Sequence, residues 1–167
     1  REAFAEFDVG WFECPLISED FDAHLKLAQG SGVPIALGEH FFTHYQSEQW
    51  LRAGALDVFQ PDICRTGVSD GLHQTAIARK AGVRVTPHMG SGSPIVQAVA
   101  LHFAAAIGAD EPCEFQSGLA GILPSVFESK WRASSGDAGV PAFPGIGVVV
   151  NEAALASRSS IIERWRV

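Results

Sequence analysis

Cysteine, methionine and tyrosine are nearly absent from the 167 residues, at three, one and one. Cys14, Cys64 and Cys113 are odd in number, lie far apart and form no CxxC pair. That pattern indicates neither a disulfide framework nor a structural zinc site, and a reducing cytoplasm is expected. Positive charge is scarce as well, with 12 Lys and Arg against 19 Asp and Glu, a formal charge of −7. The balance argues against nucleic acid or an anionic membrane surface as principal partner. No stretch has the length or charged flank of a membrane span or signal peptide. The single methionine is Met89, so Arg1 is not a natural translation start. The chain is therefore expected to be a piece of a longer protein.

What is present is a normal complement of core-forming residues, 47% hydrophobic, enough for a sizeable core. The chain opens in what reads as the end of a helix, Arg1 to Phe7. Short apolar runs then alternate with helical patterns. The runs are Val9 to Glu13, Pro34 to Glu39, Leu56 to Gln60, Val83 to His88 and Glu111 to Gln116. Between them lie helices: one capped by Ser18 and stopped by Gly30, one over Ser47 to Ala53, and one over Gly67 to Lys80. A fourth is opened by Ser93-Pro94 and ended by Gly108. In the third helix Leu72, Ala76 and Arg79 or Lys80 fall near one stripe.

Each apolar run ends near an ionisable residue: Glu13, Glu39, Asp62, His88 and Glu114. The steps between them are 26, 23, 26 and 26 residues. One strand, one helix and their loops occupy roughly 25 to 30 residues in a βαβ unit. Five such units place chemistry repeatedly at the C-terminal strand end. A barrel gathers those ends around one mouth, whereas an open doubly wound sheet spreads them along a line. The fold class expected is thus α/β, about five parallel strands of a barrel with intervening helices. After residue 120 the pattern changes to Gly, Pro and Ser, and 121–167 reads as a C-terminal extension. Within it, Val148 to Val150 is a β-branched run.

Glu13 and Glu39, at neighbouring strand ends, offer hard oxygens of the kind Mg²⁺ takes. Either alone would pass as a rim carboxylate or helix cap. Asp62 and His88 form a second pair, in which a carboxylate holds one imidazole nitrogen and leaves the other to exchange a proton. Glu114 can reach a substrate carboxylate or set the local field. The Gly90-Ser91-Gly92-Ser93 loop can receive an anion on its backbone amides. His40 and His44 follow Glu39 and are candidates to line the pocket, while His24, His73 and His102 fall within helices. The cysteines, each beside a mouth residue, read as small buried side chains.

Several motifs recur together: Trp11-Phe12-Glu13-Cys14-Pro15, Gly38-Glu39, and Ala53 to Asp62 closing on Gln60-Pro61-Asp62. Arg65-Thr66-Gly67, Ala81 to His88 and Pro144 to Val148 complete the set. In this order and spacing, residues 1 to 150 resemble the enolase superfamily in its mandelate racemase and muconate-lactonizing branch. The resemblance implies the second half of a (β/α)7β TIM-like barrel. It implies that Glu13 and Glu39 are the second and third Mg²⁺ ligands, and that Asp62 and His88 are the catalytic dyad. Glu114 corresponds to the last-strand carboxylate that contacts substrate.

The first ligand and any lysine base would precede Arg1, and Lys26, Lys80 and Lys130 do not replace them. Gly67-Val68 stands where relatives often have two glycines. The activity implied is Mg²⁺-dependent abstraction of the proton α to a carboxylate through an enediolate, with dehydration of a sugar acid as the leading expectation. A racemase or epimerase of an α-hydroxy acid is the near alternative. Two readings of another class are an inactive half-barrel with exposed sheet edges and a separate small α/β binding domain. A small carboxylate substrate and a homo-oligomer are the partners expected.

Overall fold

The computed structural model describes residues 2–30, 32–90, 92–109, 111–116, 125–129, 133–140 and 143–158. After a 3-10 helix over Glu2–Phe7, strands and helices alternate as β1 (Phe12–Glu13), α1 (Phe21–Gln29), β2 (Ile35–Leu37) and α2 (His44–Ala53). Then follow β3 (Val58–Phe59), α3 (Ile63–Thr66), α4 (Val68–Lys80), β4 (Arg84–Val85) and α5 (Pro94–Ile107). The four strands form one parallel sheet in the order β1-β2-β3-β4. No reversal interrupts that order, so these strands contain no switch point. The register aligns their C-terminal ends, with Glu13 opposite Ala36, Leu37 opposite Phe59, and Phe59 opposite Val85.

Local sequence explains most boundaries. Asp20 caps α1 by accepting from the Ala23 N–H at 3.0 Å, two residues beyond the expected cap Ser18. Gly54 and Gly108 end α2 and α5 in the left-handed conformation that glycine tolerates best. Ser93 and Pro94 open α5 as expected, with the Ser93 side chain accepting from Ile95 N. The core joins Ile35, Leu37, Phe41, Trp50, Phe59, Val85 and Phe103, all nearly or wholly buried. It packs the sheet against helices, which is where the hydrophobic driving force resides.

Three expectations are corrected. The inward stripe of α4 is Gly71, Gln74, Thr75 and Ala78, while Leu72 is exposed. Gly71 sets that face because α4 lies so close there: a Cβ would stand 2.9 Å from Ile63 Cγ2 and 3.2 Å from Phe103. Residues 111–116 form no strand, although they run beside β4. Thr86 Oγ1 donates to Pro112 O at 3.1 Å, and Gln116 Nε2 donates to Met89 O at 3.1 Å. Pro87 and Pro112 lack the N–H groups a ladder needs on either side, so side chains make the junction instead. Finally, the cysteines are not buried: Cys64 is exposed, and Cys14 and Cys113 are half-buried.

Beyond residue 120 the described segments are antiparallel. β5 (Phe127–Ser129) pairs with β8 (Val148–Val150), and β6 (Ala133–Ser134) pairs with β7 (Asp137–Ala138). Asn151 caps the short helix α6 (Glu152–Ala156). Ile146 and Val148 pack on the cluster of Met89, Ala98, Ala100 and Leu101, fastening this part to α5. Lys130, Ser91, Ile161, Ile162 and Trp165 lie outside the described residues.

Candidate active site

Four strand ends deliver Glu13, Glu39, Asp62 and His88 to one mouth, and the segment beside β4 adds Glu114. Glu13 is the last residue of β1, and Glu39 follows β2 after Gly38. Asp62 stands three residues past the end of β3 and caps α3, accepting from Cys64 N at 2.8 Å. His88 follows β4 after Pro87, and its backbone N–H donates to Pro61 O at 3.1 Å. Glu114 comes from the segment beside β4, one carboxylate oxygen accepting from Met89 N at 3.0 Å.

His88 is the centre. Its Nδ1 lies 2.9 Å from Asp62 Oδ2, and its Nε2 lies 2.6 Å from Glu39 Oε2 and 3.8 Å from Glu114 Oε2. Burial pulls the imidazole pKa down, but the Asp62 hydrogen bond and the charges of Glu114 and Glu39 outweigh it, so the net direction is up. Burial likewise pushes Asp62 up. Its bonds with His88 and the Cys64 amide prevail, with Arg65 3.9 Å away, and hold it below the ordinary carboxylate range. Glu114 moves the other way. Burial raises it, and Glu13 and Glu39 add to that, against the Met89 N–H and His88.

The cysteine beside the mouth reports the same field. Burial, then Glu39 and Glu13, push the Cys14 thiol up to about 12. It is an inert thiol, not a nucleophile. Burial and Glu114 push Cys113 up to about 11, and burial and Asp62 raise Cys64 as well.

Glu39 also accepts from His40 Nε2, at 2.7 Å through Oε1, so His40 does line the site. His44 does not. It begins α2 and binds Asp70 of α4, its Nδ1 2.5 Å from Oδ1. His24 is wholly buried against Trp50, and His73 stacks near His44. An open cleft of about 600 Å³ lies beside the dyad, lined by Asp62, Cys64, Arg65, His88, Gly90 and Gln116.

The sequence reading missed Gln60. Its Nε2 lies 2.9 Å from Glu13 Oε2 and 3.3 Å from Glu114 Oε1, joining the two outer carboxylates. A signal existed, since a polar residue closing a buried apolar run has to find partners. It missed Trp11 too, whose Nε1 donates to Glu13 Oε2 at 3.2 Å.

Residues 1–154 match the family model described as enolase C-terminal domain-like. The chain belongs to this family. It sits in the mandelate racemase and muconate-lactonizing branch of the enolase superfamily. Among curated proteins it is 35% identical over 161 residues to D-galactarolactone cycloisomerase of Agrobacterium fabrum, covering 90% of this chain and 42% of that one. It is 29% identical over 163 residues to D-galactonate dehydratase of Ralstonia nicotianae, covering 93% and 42%. The solved L-talarate dehydratase of Polaromonas sp. JS666, complexed with Mg and L-glucarate, superposes with a TM-score of 0.76 at 27% identity. That match covers 92% of this chain and 40% of the other. The chain thus spans about two fifths of the length of the curated relatives it matches.

The donor chemistry of this enolase-family mouth can be tested against Mg²⁺. Glu13 and Glu39, from adjacent strands, are hard anionic oxygens of the kind that ion takes, and their charges add to the burial that raises Cys14 and Glu114. Among the described residues no group of three or more His, Cys, Asp and Glu is arranged to hold a metal. The pair fits Mg²⁺ in the kind of donor it offers.

Proposed function

We propose that this chain supplies one side of the active site of a Mg²⁺-dependent sugar-acid dehydratase, and that its four parallel strands belong to a (β/α)7β barrel. The observation that carries the reading is His88, clamped by Asp62 on one nitrogen and facing Glu39 and Glu114 with the other. Asp62 fixes Nδ1 and the ring's orientation, which leaves Nε2 as the atom that exchanges a proton with substrate. Dehydration requires two events: the hydrogen α to the carboxylate leaves as a proton, and the β-hydroxyl leaves as water after gaining one. Nε2 is placed to carry the second proton or to receive the first.

Glu13 and Glu39 would hold Mg²⁺, which when bound supplies positive charge against the substrate carboxylate. Glu114, held by Met89 N–H and Gln60, is the carboxylate we assign to contact a bound acid. The dehydratase relatives supply the class of substrate.

The test is a panel of sugar acids, including D-galactonate, D-gluconate, D-xylonate and L-glucarate, incubated with the complete protein and Mg²⁺. Formation of a 2-keto acid with loss of water is the expected result. A product that keeps its 2-hydroxyl sinks dehydration. One other reading has a specific observation behind it, the 35% identity to a lactone cycloisomerase. A sugar-acid lactone converted to an isomer of unchanged mass would establish it.

A further inference from the structure

We propose that Gln60 is a positioning residue whose amide holds Glu13, on the metal side, at a set distance from Glu114, on the substrate side. This inference deepens the functional reading above and rests on it. One amide nitrogen has two N–H donors. Here Nε2 serves two carboxylates, 47 and 54 residues away in sequence, at 2.9 and 3.3 Å. No other described contact joins Glu13 to Glu114 through a single side chain.

The choice of residue is informative. Gln60 is 1% exposed, and its Oε1 is buried without a hydrogen-bond partner among the described residues. An unsatisfied buried acceptor is destabilising. Methionine would fill the same space without that cost, so packing does not account for glutamine. Lysine would bind both carboxylates but would cancel the negative charge a cation needs. A neutral double donor holds two anions in place and leaves their charge intact.

The backbone beneath the amide is fixed as well. Gln60 N donates to Leu37 O at 2.8 Å. Gly38, with φ +143°, lets β2 approach so closely that a Cβ there would lie 2.8 Å from the Gln60 backbone N, C and O. Gly38 thus fixes the backbone from which the Gln60 amide projects. Glu114 is held at both oxygens, one by Met89 N and one by Gln60.

The experiment compares wild type with Gln60→Met and Gln60→Leu in the complete protein. Three quantities are read: Tm, kcat and KM on a sugar acid turned over by wild type, and the Kd for Mg²⁺ alone by calorimetry. Gln60→Met is expected to keep or raise Tm, since it removes the orphan acceptor. It is also expected to lose about 10- to 100-fold in kcat/KM, mainly in kcat, and to weaken Mg²⁺ binding by a similar order. Gln60→Leu removes the donor without adding charge, so it reports the same loss if the methionine variant does not fold. A lower Tm with wild-type kcat, KM and Mg²⁺ affinity overturns the proposal and makes Gln60 a structural filler. Wild-type values throughout overturn it equally. A wild-type protein that neither binds Mg²⁺ nor turns over a sugar acid defeats the functional reading instead, and the two failures are thereby told apart.

Discussion

Among the described residues are two histidine–aspartate pairs, each 26 residues apart in sequence and each joined through Nδ1. His88 and Asp62 sit at the strand ends. His44 and Asp70 tie the start of α2 to the first turn of α4. In the first pair the side chains are 13% and 7% exposed, and in the second 25% and 27%. The larger difference is what surrounds the second nitrogen. His88 Nε2 meets two further carboxylates, whereas the His44 ring meets Tyr45 and His73. Asp70 is moreover saturated by local donors, the His44 backbone N–H at 2.8 Å and Gln74 Nε2 at 2.9 Å. One pair is an electrostatic centre whose second nitrogen faces further carboxylates at the mouth; the other is a staple between helices. The same two side chains make different devices because the fold decides what else is present.

The contrast can be broken most sharply at His88. Replacing it with Asn should lower turnover of the complete protein about a thousandfold or more while the melting temperature holds. Steady-state kinetics check this, and a variant keeping a tenth of wild-type activity would remove His88 from the chemistry. Next comes Asp62→Asn, expected to cost about a hundredfold. Asparagine can still cap α3 through its carbonyl oxygen, so stability should change little. Because Asp62 raises the His88 pKa, the pH–rate limb that belongs to His88 should move to lower pH in this variant.

Asp70→Asn should leave turnover within about twofold of wild type and lower stability by about 1 kcal/mol near neutral pH, measured by denaturant titration. Burial pushes Asp70 up, but its bonds from Gln74 and His44 hold it below its ordinary value. A depressed pKa contributes stability above the unfolded carboxylate range and loses it as pH falls through the folded value. The difference between wild type and variant should therefore fade on acidification. The smallest effect is the response to salt. A double-mutant cycle of His44 and Asp70 should yield a coupling of about 0.5 kcal/mol that shrinks in high salt. The less exposed His88–Asp62 coupling should be screened less.

How much of this was legible beforehand varies with the residue. The five mouth residues could be located because strand–helix units repeat at nearly constant length, which makes position in sequence a proxy for position on the rim. The caps Ser93 and Gly108 could be read because capping is local chemistry. Ser18 misled because three oxygen-bearing side chains in a row can each cap, and only the turn geometry picks Asp20. The strand expected at 111–116 misled because the constant step between units places a strand there, while prolines on both partners remove the donors. His44 misled because a loop was expected where the helix had already begun. Leu72 misled because hydrophobicity alone does not reveal which stripe of α4 faces inward, and the close approach at Gly71 turns Leu72 outward.

By itself, then, the sequence determined the alternation of short apolar runs and helices, the parallel order of the strands, and which ionisable groups end them. Those are consequences of hydrophobic period, capping and segment length, all of which act over a few residues. Only the tertiary structure decided which groups touch. That His88 faces Glu39 and Glu114, that Gln60 joins Glu13 to Glu114, and that His44 turns away to Asp70 depends on contacts between segments tens of residues apart. Such contacts are set by how closely helices and strands can approach, and at Gly38 and Gly71 that distance is decided by the absence of a side chain.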